Sequence, residues 1–358
     1  MRRTDALIAG GGPAGSAAAI VLARGGGRPL LIERQREPRD VVCGGFLGWD
    51  ALRSLERLGI EAAALGARPI VRMRIVAAGR VAEARLPFAA AGLSRRALDA
   101  ALRQRAGAQG AAIETGIAIR EANGRTLRLA DGASIEGDAL FLATGKHDLR
   151  GLARPKPDGE LAVGLRTRLP ASPPLARALD GVIELHLFRH GYAGLLLQED
   201  GSANLCVSVA PSRLGARGPA GLIGDLAAEA PLLAERASGS EPAWQAIAGV
   251  PYGWRAEETG PGVFRLGDQA AVIASLAGDG VAIALASGAD AGRAWLRDGA
   301  AAAVGQQQRF AARAARPVRA AGLLRTLAES SGSASAVSVL ARMPVALRLL
   351  ARLTRIES

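Results

Sequence analysis

The spacing of hydrophobic positions changes repeatedly along the chain, and each change predicts an element. Ala6-Leu7-Ile8-Ala9 is an unbroken apolar run, the pattern of a parallel strand buried on both faces. Residues 14–24 (AGSAAAIVLAR) are rich in Ala and Leu and predict a helix. Pro29-Leu30-Leu31-Ile32 is a second apolar run and ends at Glu33, so residues 3–35 read as a strand–helix–strand unit. A short helix is predicted through Trp49-Asp50-Ala51-Leu52-Arg53-Ser54-Leu55, then paired strands over 70–76 and 80–87. From Ser94, a good N-cap residue, to about Gln109 the spacing of Leu98 and Leu102 is helical. Turn signals at Asn123-Gly124 and Asp131-Gly132 separate short strands, and Ala139-Leu140-Phe141-Leu142-Ala143 is another buried one.

From about residue 160 the pattern alternates. Residues 161–169, 182–188, 192–198 and 203–209 read as antiparallel strands, with turns at His190-Gly191 and Asp200-Gly201. Such a layer is suited to roofing a pocket. The first layer resumes near 263, and beyond 300 the chain reads as helical. Residues 340–355 (LARMPVALRLLARLTR) are basic and amphipathic, with Pro344 interrupting or starting a helix. A packed terminal helix is the first reading of that segment and a membrane-surface anchor the second.

Composition narrows the classes. Of the 358 residues 49% are apolar, which is enough for a large core and excludes disorder. The net charge of +12 invites a nucleic-acid reading, but Lys146 and Lys156 are the only lysines and the remaining basic residues are arginine. With the excess of Ala and Gly this reads as compositional bias, and no basic block is interleaved with aromatics, so no nucleic-acid partner is expected. Cys43 and Cys206 have neither metal-ligand spacing nor the pattern of a disulfide framework, which fits a reducing cytoplasm, and no metal site is expected. The first strand starts too early to leave room for a signal peptide. Residues 270–287 approach the hydropathy of a membrane span, but Asp279 and its flanking glycines interrupt them. The expected location is the cytoplasm, with at most peripheral contact at the inner membrane surface.

The chemistry begins at Gly10-Gly11-Gly12-Pro13-Ala14-Gly15, where Gly10, Gly12 and Gly15 fit G-x-G-x-x-G between a strand and a helix. Gly10 allows a sharp turn, Gly12 allows backbone to approach a pyrophosphate, and Gly15 allows the helix to pack on the strand. Phosphates would lie over the helix N-terminus at Pro13 and Ala14. Glu33, 18 residues past Gly15, stands where an acid binds a ribose hydroxyl pair, with Arg34 beside it. A carboxylate there repels a 2′-phosphate, so the site is built for FAD or NAD and not for NADP.

Further motifs follow in order. Arg95-Arg96-Ala97-Leu98-Asp99-Ala100-Ala101-Leu102 fits R-x-x-[FL]-D-x-x-L, and Gly267-Asp268-Gln269-Ala270-Ala271 is followed by Ser275, Gly278 and Gly280. On these motifs the chain resembles FAD-dependent oxidoreductases of the geranylgeranyl reductase type, relatives of the para-hydroxybenzoate hydroxylase fold, over most of residues 1–300. The resemblance implies non-covalent FAD. It places Arg95 near the phosphates or ribityl chain, Asp268 on a ribityl hydroxyl, and Gly278, Gly280 and Val281 against the isoalloxazine edge at a helix N-terminus.

It also implies an α/β fold: a Rossmann-type FAD-binding domain, an inserted, mostly antiparallel β-sheet substrate domain, and a helical C-terminal tail. The expected boundaries are FAD-binding parts at 1–69, 94–160 and 256–299, a substrate-domain hairpin at 70–93, the substrate sheet at 161–255 and C-terminal helices at 300–358.

Two departures qualify the resemblance. Ser275 stands where the family has proline. In Ala143-Thr144-Gly145-Lys146-His147-Asp148, Thr144 replaces the aspartate and Asp148 the serine of the hydroxylase A-D-G-x-x-S, which argues against NADPH-dependent hydroxylation. Thr144 and Gly145 then read as the Ala-Thr-Gly ending of FAD reductases. Cys43-Gly44 matches a family C-G motif in a loop near the flavin, and Tyr192 and His190 match a glycine–aromatic stretch on the roofing sheet.

The function implied is reduction of an activated double bond in a hydrophobic molecule, isoprenoid- or polyketide-like, by hydride from flavin N5, with Cys43, Tyr192 and His147 as nominated proton donors. The electron source is open between transient NAD(P)H and a ferredoxin-like donor protein. The alternative is a single-component monooxygenase acting with NAD(P)H and oxygen on an aromatic or polyketide substrate. A flavin-binding scaffold without turnover is a third reading. A halogenase W-x-W-x-I-P stretch is absent.

Overall fold

In the computed structural model, which describes residues 2–155, 161–238, 243–330, 332–342 and 352–356, two sheets border one cavity. The chain starts with β1 (Arg2–Ala9), α1 (Pro13–Arg24) and β2 (Pro29–Glu33). It continues through β3 (Phe46–Leu47), α2 (Trp49–Arg57), β4 (Arg68–Ala77), β5 (Arg80–Gly92), α3 (Arg95–Ala108), β6 (Ala112–Thr115), β7 (Ile119–Asn123), β8 (Thr126–Leu129) and β9 (Ser134–Leu142). Next come β10 (Ala162–Leu169), α4 (Pro173–Leu179), β11 (Val182–Phe188), β12 (Gly191–Leu197), β13 (Ala203–Val209), α5 (Gly218–Asp225), α6 (Pro231–Ala237) and β14 (Gln245–Val250). The last elements are β15 (Val263–Arg265), α7 (Gly280–Asp298), α8 (Ala303–Ala328) and α9 (Ser333–Arg342).

The first sheet has seven strands in the order β6-β2-β1-β9-β8-β7, with β15 also on β9. The pairs of β1 with β2 and β9, of β2 with β6 and of β9 with β15 are parallel. Strands covered on both faces need apolar residues on both, and Ala6 to Ala9 are fully buried, Ala6 and Ile8 toward α1 and α7 and Leu7 and Ala9 toward β7, β8 and Leu149. Helix α1 then packs close to the strand. A Cβ at Gly15 would lie 2.0 Å from the Gly10 carbonyl oxygen, so only glycine fits. Gly10 itself, at φ +108°, makes the turn that L side chains rarely adopt. On the other side of α1, a Cβ at Gly288 of α7 would lie 2.1 Å from the Ala14 carbonyl oxygen, which locks the two helices together. Ser94 caps α3 by accepting from the Ala97 N–H at 3.0 Å.

The second sheet has eight strands in the order β14-β10-β13-β12-β11-β4-β5-β3, antiparallel except where β11 meets β4. Strand β3 joins it from a segment expected to belong with the first layer. Alternation along β11 sends Ile183, Leu185 and Leu187 to the cavity and Glu184 and His186 to the opposite face. That opposite face is not solvated: α4, α5 and α6, three short helices that periodicity did not reveal, pack behind it with Leu175, Leu222 and Leu233. Glu184 and His186 are fully buried there, with His186 Nε2 at 2.9 Å, Arg74 at 2.8 Å and Arg236 at 3.2 Å from the carboxylate. Burial opposes the charge on Glu184, but His186 and Arg74 bring it down to about 2. The expected helical segment 340–355 falls largely on residues 343–351, outside the described residues, as does the boundary at 160.

Candidate active site

A cavity of about 930 Å³ begins at the C-terminal ends of β1 and β2, runs past α7 and ends under α8 and α9. Its first end is a cradle made by Gly10, Gly12, Pro13 and Ala14. Helix α1 has no acidic residue in its first turn, so the positive end of its dipole stays uncompensated. Glu33 lines the same end, accepting from the Gly11 N–H at 2.6 Å and from the Gln35 N–H at 2.9 Å. Arg103 stands 3.6 Å from Glu33, and its buried Nη1 has no hydrogen-bond partner among the described residues. Arg95 lies beside Gly12 and makes a fork to Asp99 at 3.0 and 2.8 Å. Burial opposes its charge, yet Asp99 and the Cys43 sulfur hold the guanidinium above its usual range.

The loop after β9 closes this end. Lys146 Nζ meets Asp268 at 3.2 Å, and Asp268 raises the ammonium pKa against burial. Thr144 Oγ1 donates to the His147 carbonyl at 2.7 Å, and Gln269 Nε2 donates to the Gly145 carbonyl at 2.9 Å. Buried Arg154 ties the loop to Asp148, at 2.7 Å, and to the Lys146 and Asp268 carbonyls. His147 Nε2 accepts from Arg34 at 2.8 Å. Burial, then Arg34 and Lys146, push the His147 pKa down, which favours the neutral ring.

Cys43 and Gly44 sit on a loop held from the second sheet. Asn204 Nδ2 donates to both their carbonyls, at 2.9 and 2.8 Å, while Arg166 bridges Asn204 and Asp40 at 2.8 Å each. Cys206 lines the cavity wall, partly exposed there, and burial within the wall pushes its thiol up to about 12.

Gly267 and Asp268 occupy the turn after β15, and Gly278, Gly280 and Val281 line the cavity at the start of α7. The N-cap of α7 is Asp279, fully buried and paired with Arg355 from the C-terminus, which also stacks over Phe88 at 4.5 Å. Asp50 is 4.0 Å from the same guanidinium. Two buried carboxylates thus share one cation. Burial, opposed by Arg355 and reinforced by Asp50, pushes Asp279 up to about 8.

The far end differs in kind. Tyr192 Oη and Tyr252 Oη both meet Ser275 Oγ, at 2.6 and 2.9 Å, and the Leu276 N–H donates to Tyr192 at 3.1 Å. Burial lifts Tyr192 well above the usual phenol range, so it stays protonated. Around them the wall is aliphatic: Met73, Ile75, Leu185, Leu187, Val337 and Leu340. His190, expected to line the pocket, is instead exposed in the β11–β12 turn at φ +60° and lies outside the lining. Gly15 supports the cradle from behind and is not itself a lining residue. The other residues singled out from the sequence line this cavity, Tyr192 included.

The cradle fits FAD. An uncompensated helix N-terminus and an unpartnered buried Arg103 nitrogen await an anion, an acid stands at the ribose position, and the cavity is long enough to continue past α7. Residues 3–147 match the FAD binding domain family. The cofactor is FAD. A menaquinone reductase of Mycolicibacterium smegmatis is 43% identical over 58 residues, which are 16% of this chain and 14% of that protein's length.

Among solved structures, PqsL, a probable FAD-dependent monooxygenase from Pseudomonas aeruginosa, superposes with a TM-score of 0.72 at 19% identity, covering 94% of this chain and 100% of that one. The flavin-dependent brominase Bmp2 gives 0.79 at 16% identity, covering 98% and 93%. A geranylgeranyl bacteriochlorophyll reductase-like protein from Thermoplasma acidophilum gives 0.68 at 18%, covering 100% and 94%. At these identities the likeness is one of fold. The chain thus carries an FAD-binding domain within this flavoprotein fold.

Sequence reasoning missed the Tyr252–Ser275–Tyr192 contacts, the Asn204–Arg166–Asp40 brace and the Asp279–Arg355 pair. An acid between two glycines at a helix start was a legible signal for Asp279. Arg355, 76 positions away, had none.

Proposed function

We propose that this flavoenzyme reduces an activated double bond in an elongated, uncharged, hydrophobic molecule, as the geranylgeranyl reductase resemblance implies, and that a conjugated carbonyl supplies the activation. The single observation that carries this reading is the pair of hydroxyls, Tyr192 and Ser275, set 2.6 Å apart in an otherwise aliphatic chamber. Bound FAD supplies two-electron redox chemistry, and the chain supplies placement and electrostatics. Tyr192, kept protonated, donates to the substrate carbonyl and polarises it. Ser275 links it to half-buried Tyr252, giving a route for one proton from the wetter side. The aliphatic wall accepts the apolar body and excludes water. Among the described residues the cation beside this chamber is Arg325, which lies over the Tyr252 ring and is already paired with Glu329, which favours an uncharged substrate over an aromatic acid. NAD(P)H is the first reductant to test and a donor protein the second.

A second reading, hydroxylation of an uncharged phenol, is favoured by the same hydroxyl chain, which can carry a phenolic proton outward. The experiment offers FAD-loaded protein long-chain enones and long-chain phenols, with reductant, in the presence and absence of oxygen. A product gaining two hydrogens without oxygen supports reduction. Oxygen uptake coupled to a hydroxylated phenol replaces it with the second reading. Turnover of benzoates in preference to both overturns the substrate class.

A further inference from the structure

We propose that the outer face of α8 and α9 docks on an anionic phospholipid surface, with the rim of the cavity turned toward the lipid. The charge distribution points there first. Residues 303–358 contain nine arginines and two glutamates, and although Arg313, Arg325 and Arg355 are paired with Asp290, Glu329 and Asp279, the excess stays basic. Helical spacing then places Arg316, Arg319, Leu323 and Leu327 on one stripe of α8, and all are exposed. Leu323 is 75% and Leu327 48% exposed, values unusual for leucine in a long, otherwise well-packed helix. Arg316 and Arg319 have no ion-pair partner among the described residues, whereas Arg325 on the same helix is spent on Glu329 at 2.7 Å.

The apolar end of this stripe coincides with the cavity. Leu324 of α8 and Ala336, Val337 and Leu340 of α9 line the chamber, and Leu327, 48% exposed, stands at its rim where the stripe and the cavity meet. Val339, on the other side of α9, is 56% exposed, and Leu353 is 41% exposed. Apolar side chains turned outward therefore flank the helices whose inward side chains form the chamber wall. A bilayer interface satisfies both halves of the pattern, taking the leucines among the acyl chains and the arginines at the phosphates. A second copy of this chain serves the arginines less well, because an isologous contact would offer them the same stripe, and Arg316, Arg319, Leu323 and Leu327 include no acid.

The test uses the full chain with FAD bound, floated with vesicles of phosphatidylcholine alone or mixed with phosphatidylglycerol. Binding at least about tenfold stronger to the mixed vesicles is expected, weakening with salt. L323E/V339E, outside the cavity lining, is expected to lose about tenfold or more of that binding while keeping its flavin absorbance. R316Q and R319Q are expected to lose about fivefold each. Equal binding to both vesicle types, no binding, or full binding by L323E/V339E overturns the proposal. So does a concentration-dependent dimer that L323E dissolves. No substrate enters the assay, so its outcome is separate from that of the reaction proposed above.

Discussion

The two ends of the cavity are held together by different means. At the cradle the polar side chains are charged and mostly engaged: Glu33 with two backbone N–H groups, Arg95 with Asp99, Lys146 with Asp268. At the chamber three hydroxyls meet one another, and the surrounding lining is aliphatic. The first arrangement suits a ligand that brings its own charge, because fixed dipoles and paired ions reorganise little when an anion arrives. The second suits an uncharged ligand, since an unpaired charge there would carry the full desolvation penalty. The contrast teaches that affinity for the cofactor and choice of substrate rest on separate parts of the chain and can be broken separately.

The largest expected effect is at the cradle. In G15A the new methyl would fall 2.0 Å from the Gly10 carbonyl oxygen, an approach that only backbone movement relieves. We expect a loss of stability of about 3 kcal/mol or more and at least a hundredfold weaker FAD binding, roughly. The flavin absorbance of the purified protein and its thermal unfolding measure both. Y192F should do the reverse, cutting kcat about a hundredfold with FAD binding unchanged. If Y192F loses its flavin, the two ends are not separable and the comparison fails.

Between the ends stands Asp279, where pH becomes the probe. Its folded value of about 8 lies above the ordinary carboxylate value of 3.8, so the folded state keeps a proton that the unfolded state loses. Stability is therefore lost as pH rises from about 4 to about 8, by up to about 1.4 kcal/mol per pH unit, and is flat above. D279N removes this contribution. Melting curves from pH 5 to 8 should fall less steeply for D279N than for the parent, and parallel curves would place the titration elsewhere.

The cradle was legible in the sequence because its physics is local. A turn, a helix start and a terminal acid lie within the first 33 residues, and each demands a particular residue type. The roofing strands were legible too, since alternation places Ile183, Leu185 and Leu187 on one face whatever covers the other. What covers that other face was not. Helices α4, α5 and α6 are seven or eight residues long, too short for periodicity to stand out, and they bury Glu184 and His186 where alternation alone implies solvent. The chamber's hydroxyls come from segments 23 and 83 positions apart from Ser275, so no local pattern joins them. Tyr192 was found through family likeness, and Tyr252 was not found at all.

Tyr252 offers the smallest and sharpest test of the contrast. Tyr192 is 3% exposed, whereas Tyr252 is half-buried and its ring lies under Arg325 at 4.9 Å. If the hydroxyls form a graded path from a dry chamber to a wetter rim, water can replace the outer member but not the inner one. Y252F should then lower kcat by less than about tenfold, with an altered solvent isotope effect and unchanged FAD affinity. S275A, which cuts the path in the middle, should fall between Y252F and Y192F. A Y252F defect as deep as that of Y192F would mean that both phenols touch the substrate, and the chamber would be a two-point polar clamp in place of a relay.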